Sequence, residues 1–89
     1  MSSVSARLID KFGSSVTLRT TAPINNQFLT LIVVNYQPGA GSGYLNYSSG
    51  YVDADDGDFA LLKSLPTYAS VTMTYAGTSV ITNVNFYSP

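Results

Sequence analysis

The chain has 89 residues and a formal net charge of −1, and it contains no cysteine and no histidine. That length describes one small domain with a modest core. The missing cysteines exclude a disulfide framework and a thiolate zinc site, and leave the redox compartment open.

Hydrophobic residues make up 45% of the chain, as in ordinary globular proteins, yet only 10% is charged where roughly 25% is typical. A lone soluble subunit usually carries more charge than this. Low charge together with seven tyrosines and four phenylalanines points to a surface covered by other subunits. The four cations, Arg7, Lys11, Arg19 and Lys63, are scattered along the chain, which gives no electrostatic footprint for nucleic acid. The most apolar run, "FLTLIVV" at 28–34, is far short of the roughly 20 residues that cross a bilayer. No charged region followed by an apolar stretch opens the chain, so a cytoplasmic product without a membrane partner is expected.

In chain order, "SSVSARLIDKFG" predicts a short helix over about 3–12. Val4, Leu8 and Phe12 fall at i, i+4 and i+8 with Ile9 beside them, and Arg7, Asp10 and Lys11 take the other side. Ser2 or Ser3 caps its start, and Gly13 supplies the left-handed residue that ends it. After Gly13 the period becomes two: "SVTLRTT" alternates Val16 and Leu18 against Thr17 and Arg19, a strand with one wet face. Ala22-Pro23 ends it and "INNQ" turns. "QFLTLIVVNY" at 27–36 follows, apolar on both faces, with Phe28, Ile32 and Val34 on one and Leu29, Leu31 and Val33 on the other. Such a strand needs cover on two sides, one of which a neighbouring subunit can supply.

"QPGAGSG" at 37–43 reads as a flexible loop. A Walker loop is excluded, because Gly43 is followed by Tyr44 and Leu45 rather than Lys and Ser or Thr. "YLNY", "GYV" and "DFALLK" are short strands, the last with a helical turn as the alternative. The final runs "SVTMTYA" at 70–76 and "TSVITNVNFY" at 78–87 flank Gly77 and predict a hairpin, the second with Val80, Val84 and Phe86 on one face. The expected architecture is therefore mainly β: a small barrel or sandwich of about six strands over 15–87, one domain, with a short N-terminal helix.

"GYVDADDGDF" at 50–59 holds four of the five acids. Started at Asp53, an EF-hand loop would have Gly57 in its fifth place and Ser64 in its twelfth, where it needs an oxygen donor and a glutamate, and the chain has no glutamate. Asp53, Asp55, Asp56 and Asp58 therefore read as a solvated turn, and no metal or other cofactor is expected. Without His, Cys or Glu the common nucleophile–base pairs are missing. A Ser-Lys pair would have to rest on Lys11 or Lys63, so an enzyme is not expected.

Two stretches resemble the head-completion, or stopper, proteins of tailed bacteriophages. "SARLIDKFGSSVTLRT" is similar to their opening, a short helix ending in Lys/His-Phe-Gly that runs into a Val-Thr-Leu-Arg strand. "LPTYASVTMTYAGTSVITNVNFYSP" is similar to their closing hairpin, and "GDFALLKS" lies where they carry a Val-Leu-rich strand. About half of the chain is covered. The middle is shorter than in that family, and the family's additional last strand is missing after "FYSP", which would leave an edge for a neighbour's strand.

The resemblance implies a structural protein of the virion neck. Copies form a homo-oligomeric ring beneath the portal and adaptor proteins, retain packaged DNA without reading its sequence, and receive the tail terminator. In that setting Gly39, Ala40, Gly41, Ser42 and Gly43 form a candidate gate or intersubunit loop. Asp53, Asp55, Asp56 and Asp58 would line the lumen or rim. A capsid-decorating accessory protein and a tail-terminator or tail-tube ring subunit fit the composition as alternatives.

Overall fold

In a computed structural model the chain is described over residues 2–35, 44–46 and 50–88. Seven strands, β1 (Ser2–Phe12), β2 (Ser15–Thr20), β3 (Thr30–Asn35), β4 (Tyr44–Asn46), β5 (Tyr51–Ala54), β6 (Ser70–Ala76) and β7 (Val80–Tyr87), join one helix, α1 (Asp56–Ser64). They form a single sheet in the order β4-β7-β6-β1-β2-β3-β5. Every pairing is antiparallel except β3 with β5. The sheet curls until its edge strands β4 and β5 approach one another, and α1 lies against β7, β3 and β5 beside that gap. The result is a nearly closed barrel, so the mainly-β expectation holds in its barrel form.

The N-terminal helix does not exist. Residues 2–12 are β1, the central strand between β2 and β6. The misleading signal was Val4, Leu8 and Phe12: a spacing of four is close to a helical turn, but it is also an even number, and so fits a strand equally well. Ala6 decides between them, because Val4, Ala6 and Leu8 are all buried while Ser3, Ser5 and Arg7 are exposed. A bulge then resets the alternation. Leu8 faces Leu18 and Asp10 faces Thr17, which leaves Ile9 as the extra residue. Without it the register of the β1–β2 turn would send Ser5, Arg7 and Ile9 inward. With it Val4, Ala6 and Leu8 fill the core and Lys11 stays on the inner side opposite Val16. Gly13 does adopt a positive φ, of 56°. It does so in the two-residue turn of a hairpin, where such a φ is needed at the first loop position, rather than at a helix end.

The remaining strands follow the alternation. Val16 and Leu18 of β2, Leu31 and Val33 of β3, Val52 and Ala54 of β5, and Val71 and Met73 of β6 are buried, together with Ile24, Leu29 and Leu62. Thr20 is the one buried polar residue among the described residues, and its Oγ1 accepts the Leu29 N–H at 2.9 Å. "INNQ" turns as expected, with Ile24 bridged to Gln27 and positive φ at Asn25 and Asn26. The closing hairpin is present, but a bulge falls between Thr74 and Ala76 of β6 and the facing stretch of β7. Ile81 therefore shares the buried face with Val84 and Phe86, while Val80 is exposed.

"DFALLK" resolves as helix. Asp55 is its N-cap, with Oδ1 accepting the Asp58 N–H at 2.8 Å, and the first turn carries Asp56 and Asp58 where the helix dipole favours negative charge. At the other end Lys11 Nζ donates to the Lys63 and Leu65 carbonyls, at 3.1 and 2.7 Å. In return Lys63 Nζ donates to the Gly13 carbonyl at 2.8 Å. The two lysines thus cross-link the last turn of α1 to the β1–β2 turn, and Leu62 anchors the helix in the core. A strand at "GDFALLKS", as in the stopper family, is not what this chain forms. Nor is β7 an open edge, because β4 pairs with its first half, Val80–Thr82.

Candidate functional site

The candidate gate loop, Gly39 to Gly43, lies outside the described residues. The four clustered aspartates are described, and they do not form a solvated turn. Asp53 is half-buried in β5, opposite Val34 of β3. Asp55 caps α1, Asp56 is exposed at its first position, and Asp58 turns back toward the sheet. There Asp58 Oδ2 accepts the Phe86 N–H at 3.2 Å, beyond the end of the short β4–β7 ladder, so this carboxylate fastens the helix start to β7. Burial raises the Asp58 carboxyl above the ordinary value of 3.8. The Asp55 charge adds to the shift and the Phe86 N–H opposes it. Among the described residues no three carboxylates converge in a way that could hold a metal ion.

The outer face of β1, β2, β3 and β5 carries the feature that low charge only hinted at. Phe12 is 79% exposed, Tyr51 64% and Phe28 55%. The ladders set Phe12, Ser15, Val34 and Asp53 in one row and Asp10, Thr17, Ile32 and Tyr51 in the next. Ile32 and Val34 are half-buried. Both faces of β3 are therefore apolar, as expected, but the inner residues Leu31 and Val33 are fully buried while the outer residues Ile32 and Val34 are buried only in part.

One row further along, Arg7 faces Arg19, and Arg19 faces Thr30. With Ile9, Thr20, Thr21 and Phe28 the two arginines line a shallow pocket of about 380 Å³. Sequence reasoning left these two arginines as scattered charges. The missing signal was β1 itself: once residues 2–12 form a strand across a two-residue turn, the Ile9 bulge moves the partner of Arg7 from Thr20 to Arg19.

No protein-family model, no curated protein and no solved structure matches the chain. No helix among the described residues is long and apolar enough to cross a membrane.

Proposed function

We propose that this chain is a structural subunit of a bacteriophage neck, assembling as a homo-oligomeric ring below the portal and adaptor, retaining packaged DNA and joining head to tail. The observation that carries the reading is the uncovered apolar outer face, with Phe12, Phe28 and Tyr51 exposed around half-buried Ile32 and Val34. Exposed apolar surface of this kind marks an interaction site, and a ring hides one such face on every copy. The composition supports the same class, because a chain without His, Cys or Glu has little equipment for acid–base or nucleophilic chemistry. Low net charge suits a conduit that must not grip passing DNA.

The resemblance to stopper proteins now rests on the Val-Thr-Leu-Arg strand β2 and on the β6–β7 hairpin, since the opening helix and the "GDFALLKS" strand are not formed. In this setting Gly39 to Gly43 is the candidate gate or intersubunit loop. Asp53, Asp55, Asp56 and Asp58 are the candidate lumen or rim acids, of which Asp56 is the exposed one. Copy number in the purified particle tests the proposal: a ring gives about six or twelve copies per particle at the head–tail junction. A decoration protein would instead be spread over the shell in far greater number.

A further inference from the structure

We propose that the Arg7–Arg19 pocket is a socket in which one copy of this chain receives the acidic start of α1 from the next copy, with Asp56 as the inserted charge. This inference rests on the ring reading and names its contact. Two guanidinium groups directly opposite each other on one sheet face oppose folding. Among the described residues no ion pair offsets that cost, and Asp10, one row away on β1, faces Thr17 rather than either arginine. Among the described residues the pair makes one hydrogen bond, from Arg19 Nη1 to Thr30 Oγ1 at 3.4 Å, and Arg7 makes none. The other two cations are committed elsewhere, because Lys11 and Lys63 both bind carbonyls that join α1 to the β1–β2 turn. Among the described residues the uncommitted cationic side chains are therefore in one place, beside the exposed ring of Phe28 and the half-buried Ile9. A pair of planar forks over an apolar floor suits a carboxylate presented on a protein segment.

The complementary charge lies elsewhere on the same molecule. Asp55 is occupied as the helix cap and Asp58 by Phe86, whereas Asp56 is exposed and makes no hydrogen bond among the described residues. Asp10, the other exposed acid, sits on β1 beside the socket, facing Thr17. The two patches occupy opposite ends of β3: Thr30 pairs with Arg19, and Asn35 pairs with Ala54, just before the cap of α1. At roughly 3.3 Å per residue they are about 17 Å apart along the strand. A two-fold contact centred on the socket would set arginines against arginines. A contact that sets arginines against Asp56 of the next copy pairs opposite charges, and repeated head to tail with a closing rotation it makes a ring.

The test is native mass spectrometry of the full chain at low and high salt, for wild type, Arg7→Glu/Arg19→Glu, Asp56→Lys and an equimolar mixture of the two variants. The expected result is a closed wild-type oligomer lost at high salt, and two variants that fold but stay monomeric. The mixture regains the oligomer, because each socket then meets an opposite charge. Circular dichroism of the double-arginine variant should show the β spectrum of wild type, so that loss of assembly is not loss of the fold. Variants that still assemble would overturn the socket while leaving the ring reading intact. A wild-type chain that stays monomeric would also overturn it, as would arginines that turn out to bind duplex DNA. The ring reading would then stand or fall on copy number in the particle.

Discussion

Lys11→Met tests the placement of the N-terminal segment more sharply than any other change. Methionine keeps an unbranched apolar stem and removes the ammonium, so packing along β1 is preserved while the bonds to the Lys63 and Leu65 carbonyls, at 3.1 and 2.7 Å, are lost. Hydrogen bonds to a charged group contribute about 1.5–3 kcal/mol. A lysine at a helix C-terminus adds about 0.3–1 kcal/mol through the dipole. Lys11 is half-buried, and water replaces part of what is lost, so the low end, about 1.5 kcal/mol, is the expected cost. For a domain of this size that lowers the melting temperature by about 6–12 °C. Thermal unfolding followed by circular dichroism, backed by urea titration with an unchanged m-value, measures it. On a solvated helix face, the place the sequence spacing suggested for Lys11, the same substitution would stay within about 0.5 kcal/mol. A change that small would refute the lysine bridge.

Asp55→Ala removes the side-chain acceptor for the Asp58 N–H and should destabilise the fold by about 0.5–2 kcal/mol, with Asp55→Asn restoring most of it; equal stabilities in denaturant titration would contradict the cap. Asp58 carries a raised carboxyl pKa, chiefly through burial. Its contribution to stability is therefore fully present below the unfolded value near 3.9 and is lost as pH rises through the higher folded value. The stability of wild type minus that of Asp58→Asn should accordingly fall with rising pH in melting curves, and a difference that grew with pH would reverse the assignment. Gly77 has φ of 100°, and a Cβ there would collide with the Val80 carbonyl oxygen. Gly77→Ala should therefore destabilise the closing hairpin by more than the roughly 1 kcal/mol that Gly and Ala normally differ by, read as a lowered melting temperature.

Much of the barrel is visible in the sequence, because a period of two needs only neighbours. Val16 and Leu18, Leu31 and Val33, and Val71 and Met73 announce their strands without reference to the rest of the fold. What failed depended on distant partners. Residues 2–12 look helical because Val4 and Leu8 satisfy both periods, and only the burial of Ala6 between β2 and β6 separates the two. The bulge at Ile9 leaves no local mark, yet it determines which side chains of β1 enter the core and sets Arg7 against Arg19. "DADDGD" contains turn formers, and its reading as a turn overlooked that Asp is also an N-cap. Asp55 followed by Asp58 and the run Phe59 to Leu62 marks a helix start. The exposed apolar face was half legible, since the two apolar faces of "QFLTLIVVNY" were plain but their neighbours Tyr51 and Phe12 came from strand register.

The neck assignment is tested most directly by electron microscopy of particles assembled without this protein. Separate tails and tailless heads, many emptied of DNA, are the predicted result, because removing the ring unlocks the channel and leaves the tail nothing to dock on. Normal tailed particles that retain their DNA would contradict it.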